Sequence, residues 1–237
     1  MQKITNKWQQ ELMAKSNPDK IKIFASFFKT GKGEYGEGDK FIGLSVPDNR
    51  KISTLYYEVS FPVIQNMLHD DIHEFRLAAL LALVHKYKKS TTNNERKEIV
   101  DFYLSNAGWC NNWDMVDLSA PYILGQYLLE TDCFGLLDYM SISDNLWRQR
   151  IAIVSTLTLI RHNRFEDTLR IAKRYLLHSH PLIHKATGWM LREVGKRHLP
   201  TLLEFLDEFA IAMPRTMLRY AIERLDTPTR QYYMKLK

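Results

Sequence analysis

The apolar positions of FRLAALLALVHKY recur at helical spacing: Leu77, Leu80, Leu81, Val84 and Tyr87 follow i, i+3, i+4, i+7 steps. No stretch alternates apolar and polar residues well enough for a sheet. Stop and start signals return roughly every 10 to 20 residues. Asn17-Pro18 reads as an N-cap followed by proline at the first helical position. Pro47, Pro181, Pro200, Pro214 and Pro228 also stand near expected helix starts. The pattern predicts an all-α chain.

The helices are expected in pairs. Aligning the second helix of successive pairs sets Arg76 in HEFRLAAL, Asp117 in DMVDLSAP, Arg150 in LWRQRIAI, Lys185 in LIHKATGW and Arg219 in TMLRYAIE at one register position. Their separations are 41, 33, 35 and 34 residues, periods that belong to solenoids of two-helix units. Such stacks curve, and their inner helices line a concave face. Four of the five aligned positions are Arg or Lys, so the face reads as a basic track with one carboxylate set into it. A basic groove suits a phosphate backbone, whereas a carboxylate there asks for something cationic in the ligand.

Length and composition set outer bounds. A chain of 237 residues can bury a substantial core without covalent staples. Two cysteines, Cys110 and Cys133, make a disulfide framework improbable and point to a reducing compartment. The N-terminal MQKITNKWQQELMAKS lacks the apolar run of a secretory signal, and no segment is long and apolar enough to span a membrane. A cytoplasmic location is expected. The 33 Lys+Arg against 27 Asp+Glu, a formal charge of +6, hint at a polyanionic partner without requiring one.

CNNWDMVD, residues 110–117, holds the most specific chemistry. Trp113 and Asp117 are four apart and so share one side of a helix. Trp189 follows Lys185 by four and shares the face of that register position. Two indoles and a carboxylate would make a cleft with aromatic walls and a negative floor, suited to a cation. Each tryptophan alone reads more readily as core packing, and the carboxylate beside them shifts the balance. Asp114 falls in the first turn, where a carboxylate favours the exposed N–H groups, and Asn111 or Asn112 can cap.

Other motifs carry less. GKGEYGEG contains Gly31, Gly33 and Gly36 in G-x-G-x-x-G spacing, but no strand precedes it and Glu34 and Glu37 would repel a pyrophosphate, so it reads as a loop. His178, His180 and His184 lack a Glu or Cys to complete a metal site, and no metal is expected. Cys110 has no histidine in register, and a packed thiol is expected. Arg192, Lys196 and Arg197 suit a helix C-terminus and would also extend the basic track.

WDMVD, WRQRIAI, KATGWMLREVGK and the earlier GEYGEGDKFIGLSVPDNRK together resemble the AlkD-like family of bacterial alkylpurine DNA glycosylases. The resemblance runs through nearly the whole chain, with the motifs in matching order. It implies a right-handed α-α superhelix of HEAT-like helix pairs: one domain over 1–237, with N-terminal helices and the Gly-rich loop to residue 46 and the repeat core from about 47. It implies excision of purines alkylated at N3 or N7 from duplex DNA, with the damaged nucleotide left largely stacked, unlike base-flipping glycosylases.

In that family the aspartate matching Asp117 is the catalytic carboxylate. Residues matching Trp113, Trp189 and Arg150 line the lesion cleft. Lys185, Arg192, Lys196 and Arg76 are then expected on DNA phosphates, with Tyr35 and Ser45 as further DNA contacts. No cofactor is implied, and the protein is expected to act as a monomer. Asn112 stands where some relatives carry a second tryptophan, so the cleft is expected to differ in shape. A HEAT-like DNA-binding protein without catalysis, or a protein-binding scaffold, remains open.

Overall fold

The structure, a computed structural model, describes residues 6–236. Among them there is no strand; an isolated parallel bridge joins Lys40 to Ile72. The chain divides into two compact units, one up to Ser119 and one from Ala120 onward. The first holds α1 (Lys7–Met13), α2 (Pro18–Phe27), α3 (Val46–Ser53), α4 (Phe61–Leu68), α5 (His73–Lys89), α6 (Asn93–Ser105) and α7 (Trp113–Ser119). The second holds α8 (Leu124–Thr131), α9 (Gly135–Ser141), α10 (Leu146–Arg161), α11 (Glu166–Arg174), α12 (Pro181–Arg197), α13 (Leu199–Phe209), α14 (Arg215–Ala221) and α15 (Thr227–Lys235). No described helix is long and apolar enough to cross a membrane.

Local chemistry explains the helix starts. The Asn17 side chain accepts the Asp19 N–H ahead of Pro18, as the sequence predicts. Prolines open α3, α12, α13 and α15 in the same way, and Pro214 directly precedes α14. At α6, Thr92 and Glu95 form a reciprocal capping box.

Packing within each unit centres on the long helices α5, α10 and α12. In the first, α5 packs on α3 and α7 with α4 and α6 also against it. In the second, α10 packs on α8 and α12, and α12 on α14, with α9, α11 and α13 against the row. Arg76 and Asp117 therefore lie on row helices of the first unit, and Arg150, Lys185 and Arg219 on row helices of the second. The apolar stripe expected of α5 is wider than its spacing suggested: Phe75 and every residue from Leu77 to Leu83 are buried, because neighbours enclose the helix.

Close backbone approach makes two glycines structural. A Cβ on Gly188 of α12 would lie 2.4 Å from the Met217 carbonyl oxygen and 2.6 Å from Tyr220 Cβ on α14. Gly125 of α8 meets the Ser155 carbonyl of α10 in the same way. Gly188→Ala is expected to destabilise the protein by about 1–3 kcal/mol through overpacking, measured as a lower denaturant midpoint.

Candidate functional site

Helix α7 is held at its start by its own side chains. The Asn112 carboxamide oxygen accepts the Trp113 N–H at 2.9 Å, and Asp114 Oδ1 accepts the Met115 N–H at 2.9 Å. One turn on, Asp117 is half-exposed. It opens into a cavity of about 340 Å³ whose wall includes Phe24 and Phe27 of α2, Phe28 just after it, Leu77, Trp113 and Leu118. The cavity belongs wholly to the first unit. Its wall is mainly apolar, and a carboxylate in such surroundings acts on a cation more strongly than it would in water.

The Trp113 ring is fixed from three directions. Phe28 stacks on it at 5.3 Å between centroids, Phe27 meets it edge-on at 5.6 Å, and its indole N–H donates to the Tyr35 hydroxyl at 3.2 Å. Phe27 is nonetheless 60% exposed, so the aromatic wall continues to the surface.

Beneath the cavity lies a buried charge cluster. His73, the first residue of α5, bonds Asp114 Oδ2 at 2.9 Å through Nε2 and Asp39 Oδ2 at 3.1 Å through Nδ1. Asp39 also accepts from Arg76 Nη2 at 2.5 Å and from the Asn112 amide at 3.4 Å. Burial alone would push His73 down, but the Asp114 charge and the hydrogen bonds to Asp114 and Asp39 raise it to about 9. At neutral pH the ring is therefore a cation donating from both nitrogens. Burial pushes Asp39 up, yet the His73 hydrogen bond and the Arg76 charge outweigh it and hold the carboxyl below its ordinary value.

Glu74 anchors the loop that carries Asp39. Its buried carboxylate accepts the N–H groups of Ile42, Gly43 and Leu44 at 2.9–3.2 Å. Burial nevertheless raises its pKa, the hydrogen bonds opposing.

Several predicted DNA contacts have other surroundings. Arg76 is buried, 3% exposed, and its guanidinium is held by Asp39 and by the Asp70 carbonyl at 2.8 Å. The register placed a cation correctly on α5, but this one points inward, and a buried fork with those partners presents nothing to a phosphate. Ser45 caps α3: its hydroxyl donates to Asp48 Oδ2 at 2.5 Å and accepts the Asp48 N–H at 3.3 Å. Tyr35 is half-buried against Trp113.

In the second unit Arg150 is also buried, 5% exposed, and donates to the Leu182 carbonyl at 2.7 Å, tying α10 to the start of α12. Lys185 is exposed and Trp189 half-exposed on α12. Arg192 pairs with Glu223 and, at 3.4 Å, with Glu193, while Lys196 pairs with Glu193 at 2.7 Å. DNA phosphates would have to compete with these surface acids.

The motifs set aside in the sequence have local explanations. Glu34 accepts the Gly31 N–H at 2.8 Å and Glu37 the Gly33 N–H at 2.7 Å, so the glycine loop fills its own donors. His178 contacts Gln149 at 2.9 Å, and the His180 ring accepts the Leu182 N–H at 3.1 Å. His184 meets the His178 carbonyl. Burial pushes the Cys110 thiol up to about 12, which leaves it un-ionised and inert.

An all-α chain with rows of packed helices thus carries a carboxylate in an aromatic-walled pocket. Residues 8–225 match the DNA alkylation repair enzyme family, and the chain belongs to it. A solved structure described as a predicted DNA alkylation repair enzyme from Enterococcus faecalis is similar in fold. Its TM-score is 0.70 over 90% of this chain and 98% of that one, at 16% identity. No curated protein matches this chain in sequence.

Proposed function

We propose that the protein is a monofunctional DNA glycosylase of the AlkD-like branch. It hydrolyses the N-glycosidic bond of cationic N3- and N7-alkylated purines, such as 3-methyladenine and 7-methylguanine, in duplex DNA. The observation that carries this reading is Asp117, a half-exposed carboxylate opening into an aromatic-walled apolar pocket of an otherwise basic protein.

An alkylated purine already carries positive charge and leaves as a neutral base. The C1′–N bond breaks with its electron pair going to the base, so little leaving-group protonation is needed, unlike glycosidases that use two carboxylates. What remains is to stabilise the oxocarbenium-like sugar and to position the water that adds to C1′. Asp117 does both, and the poorly solvated pocket strengthens its effect. Trp113 supplies the wall beside it. Trp189 and Arg150 are assigned to the lesion cleft, with Arg150 supporting the site and the DNA backbone. Lys185, Arg192 and Lys196 bind phosphates. The reading treats residues 1–237 as one repeat domain acting as a cytoplasmic monomer, with no metal or cofactor in the chemistry.

Incubation with duplex DNA treated with N-methyl-N-nitrosourea tests the proposal. Free 3-methyladenine and 7-methylguanine are the expected products. Salt-dependent duplex binding without release would leave a non-catalytic DNA-binding protein. No duplex binding even at low salt would leave a protein-binding scaffold.

A further inference from the structure

The buried cluster below the pocket is absorbed neither by the fold nor by the chemistry assigned to Asp117. A helix start needs an N-cap, not a histidine clamped between two buried aspartates. The geometry points to His73 as a positioning residue that holds the Asn112–Trp113–Asp114 start of α7, and with it Asp117 one turn later, in the orientation the reaction uses.

Three independent contacts converge on that segment. His73 grips Asp114 directly at 2.9 Å. Through Asp39 at 3.1 Å it reaches Asn112, whose oxygen caps the Trp113 N–H. Its ring packs on Phe28 at 4.6 Å and Phe41 at 4.8 Å, and Phe28 in turn stacks on Trp113. Residues on both sides of Trp113, and the indole itself, are thus tied to one imidazole. His73 also shares the pocket wall with Trp113 and Asp117.

The charge balance supports the assignment. Two carboxylates, Asp39 and Asp114, are buried with two cations, His73 and Arg76. The other charged groups around the ring are Glu74 on its own helix and Asp117 across the pocket. The elements facing it otherwise present Phe28 from the end of α2, its C-cap, Phe41 from the loop and the neutral Asn49 of α3, whose amide donates to the Glu74 carbonyl at 2.7 Å. Loss of the imidazolium proton would leave an excess negative charge beneath Asp117 and remove one of the two donors that orient α7. The ring titrates at about 9, so this loss occurs as pH rises through that value and the cation persists below it.

The kinetic consequence rests on the glycosylase reading; the positional one does not. Single-turnover base release and binding of undamaged duplex are measured for wild type and His73→Gln, with ¹⁵N spectra of the tryptophan indoles. His73→Gln is expected to slow release about 10- to 100-fold, the scale of a small misplacement of catalytic groups. Affinity for undamaged duplex is expected to stay within about threefold, because no phosphate contact is touched. The wild-type rate falls as pH rises through about 9, and His73→Gln lacks that limb.

A folded His73→Gln protein with a wild-type rate overturns the proposal. If wild type releases no base, the glycosylase reading fails alone, and the Trp113 indole resonance decides. It is expected to shift in His73→Gln, and an unmoved resonance refutes the positioning role. If that variant does not fold, the wild-type indole resonance is followed with pH. A titration centred near 9 supports the proposal, and its absence refutes it.

Discussion

Asp117→Asn is expected to abolish base release while leaving DNA binding intact or slightly tighter. Asparagine keeps the shape of aspartate and removes its charge. A carboxylate about 4 Å from a developing sugar cation, at an effective dielectric near 20, contributes roughly 4 kcal/mol. That energy is about a thousandfold in rate. The side chain is only partly buried and the replacement is isosteric, so the fold should persist. Removing a negative charge from a surface proposed to face DNA cannot weaken phosphate binding. The signature is therefore a loss in the single-turnover rate with an unchanged or lower Kd. A parallel loss of duplex affinity would instead assign Asp117 to architecture. Undiminished release by Asp117→Asn would remove it from the chemistry.

How far the sequence foretells this site depends on the range of each interaction. Helix starts are legible because caps and prolines act within a turn, as Asn17 and Pro18 show. The row helices are legible because the register repeats. That same register contains the hidden histidine: His73 and Asp114 are separated by 41 residues, as are Arg76 and Asp117, so the offset that aligned one pair also aligned the other. Asp114 does serve the helix start, and it also receives His73, a role that composition and spacing within CNNWDMVD cannot disclose. Asp39 and Glu74 were not legible at all. Their partners are a histidine, a guanidinium and the backbone N–H groups of Ile42, Gly43 and Leu44, brought together only by the path of the loop. The aromatic wall is similar: nothing local in the sequence marks Phe24, Phe27 and Phe28 as the wall beside Trp113.

Arg76 separates the two kinds of basic residue that a register alone cannot tell apart. On the surface, its replacement would leave stability nearly unchanged and reduce the salt dependence of DNA binding by about one phosphate contact. In the interior, Arg76→Ala takes from the buried Asp39 carboxylate one of its two cationic partners, leaving His73, and removes the donor to the Asp70 carbonyl. Breaking a buried pair from one side costs about 3–5 kcal/mol. For a chain of this length that corresponds to a fall in Tm on the order of 10 °C. Arg76→Lys should recover little, because an ammonium cannot reproduce the fork that reaches Asp39 and the Asp70 carbonyl at once. The double variant Arg76→Ala/Asp39→Ala should be less destabilised than the sum of its two single changes, since it removes the under-compensated carboxylate along with its partner. Thermal melting of these variants, beside the salt slope of duplex binding, distinguishes the two cases. A wild-type Tm with a reduced salt slope would return Arg76 to the DNA surface. A large loss of Tm with an unchanged slope would establish it as the interior counterion that lets Asp39 stay charged against His73 and Asn112.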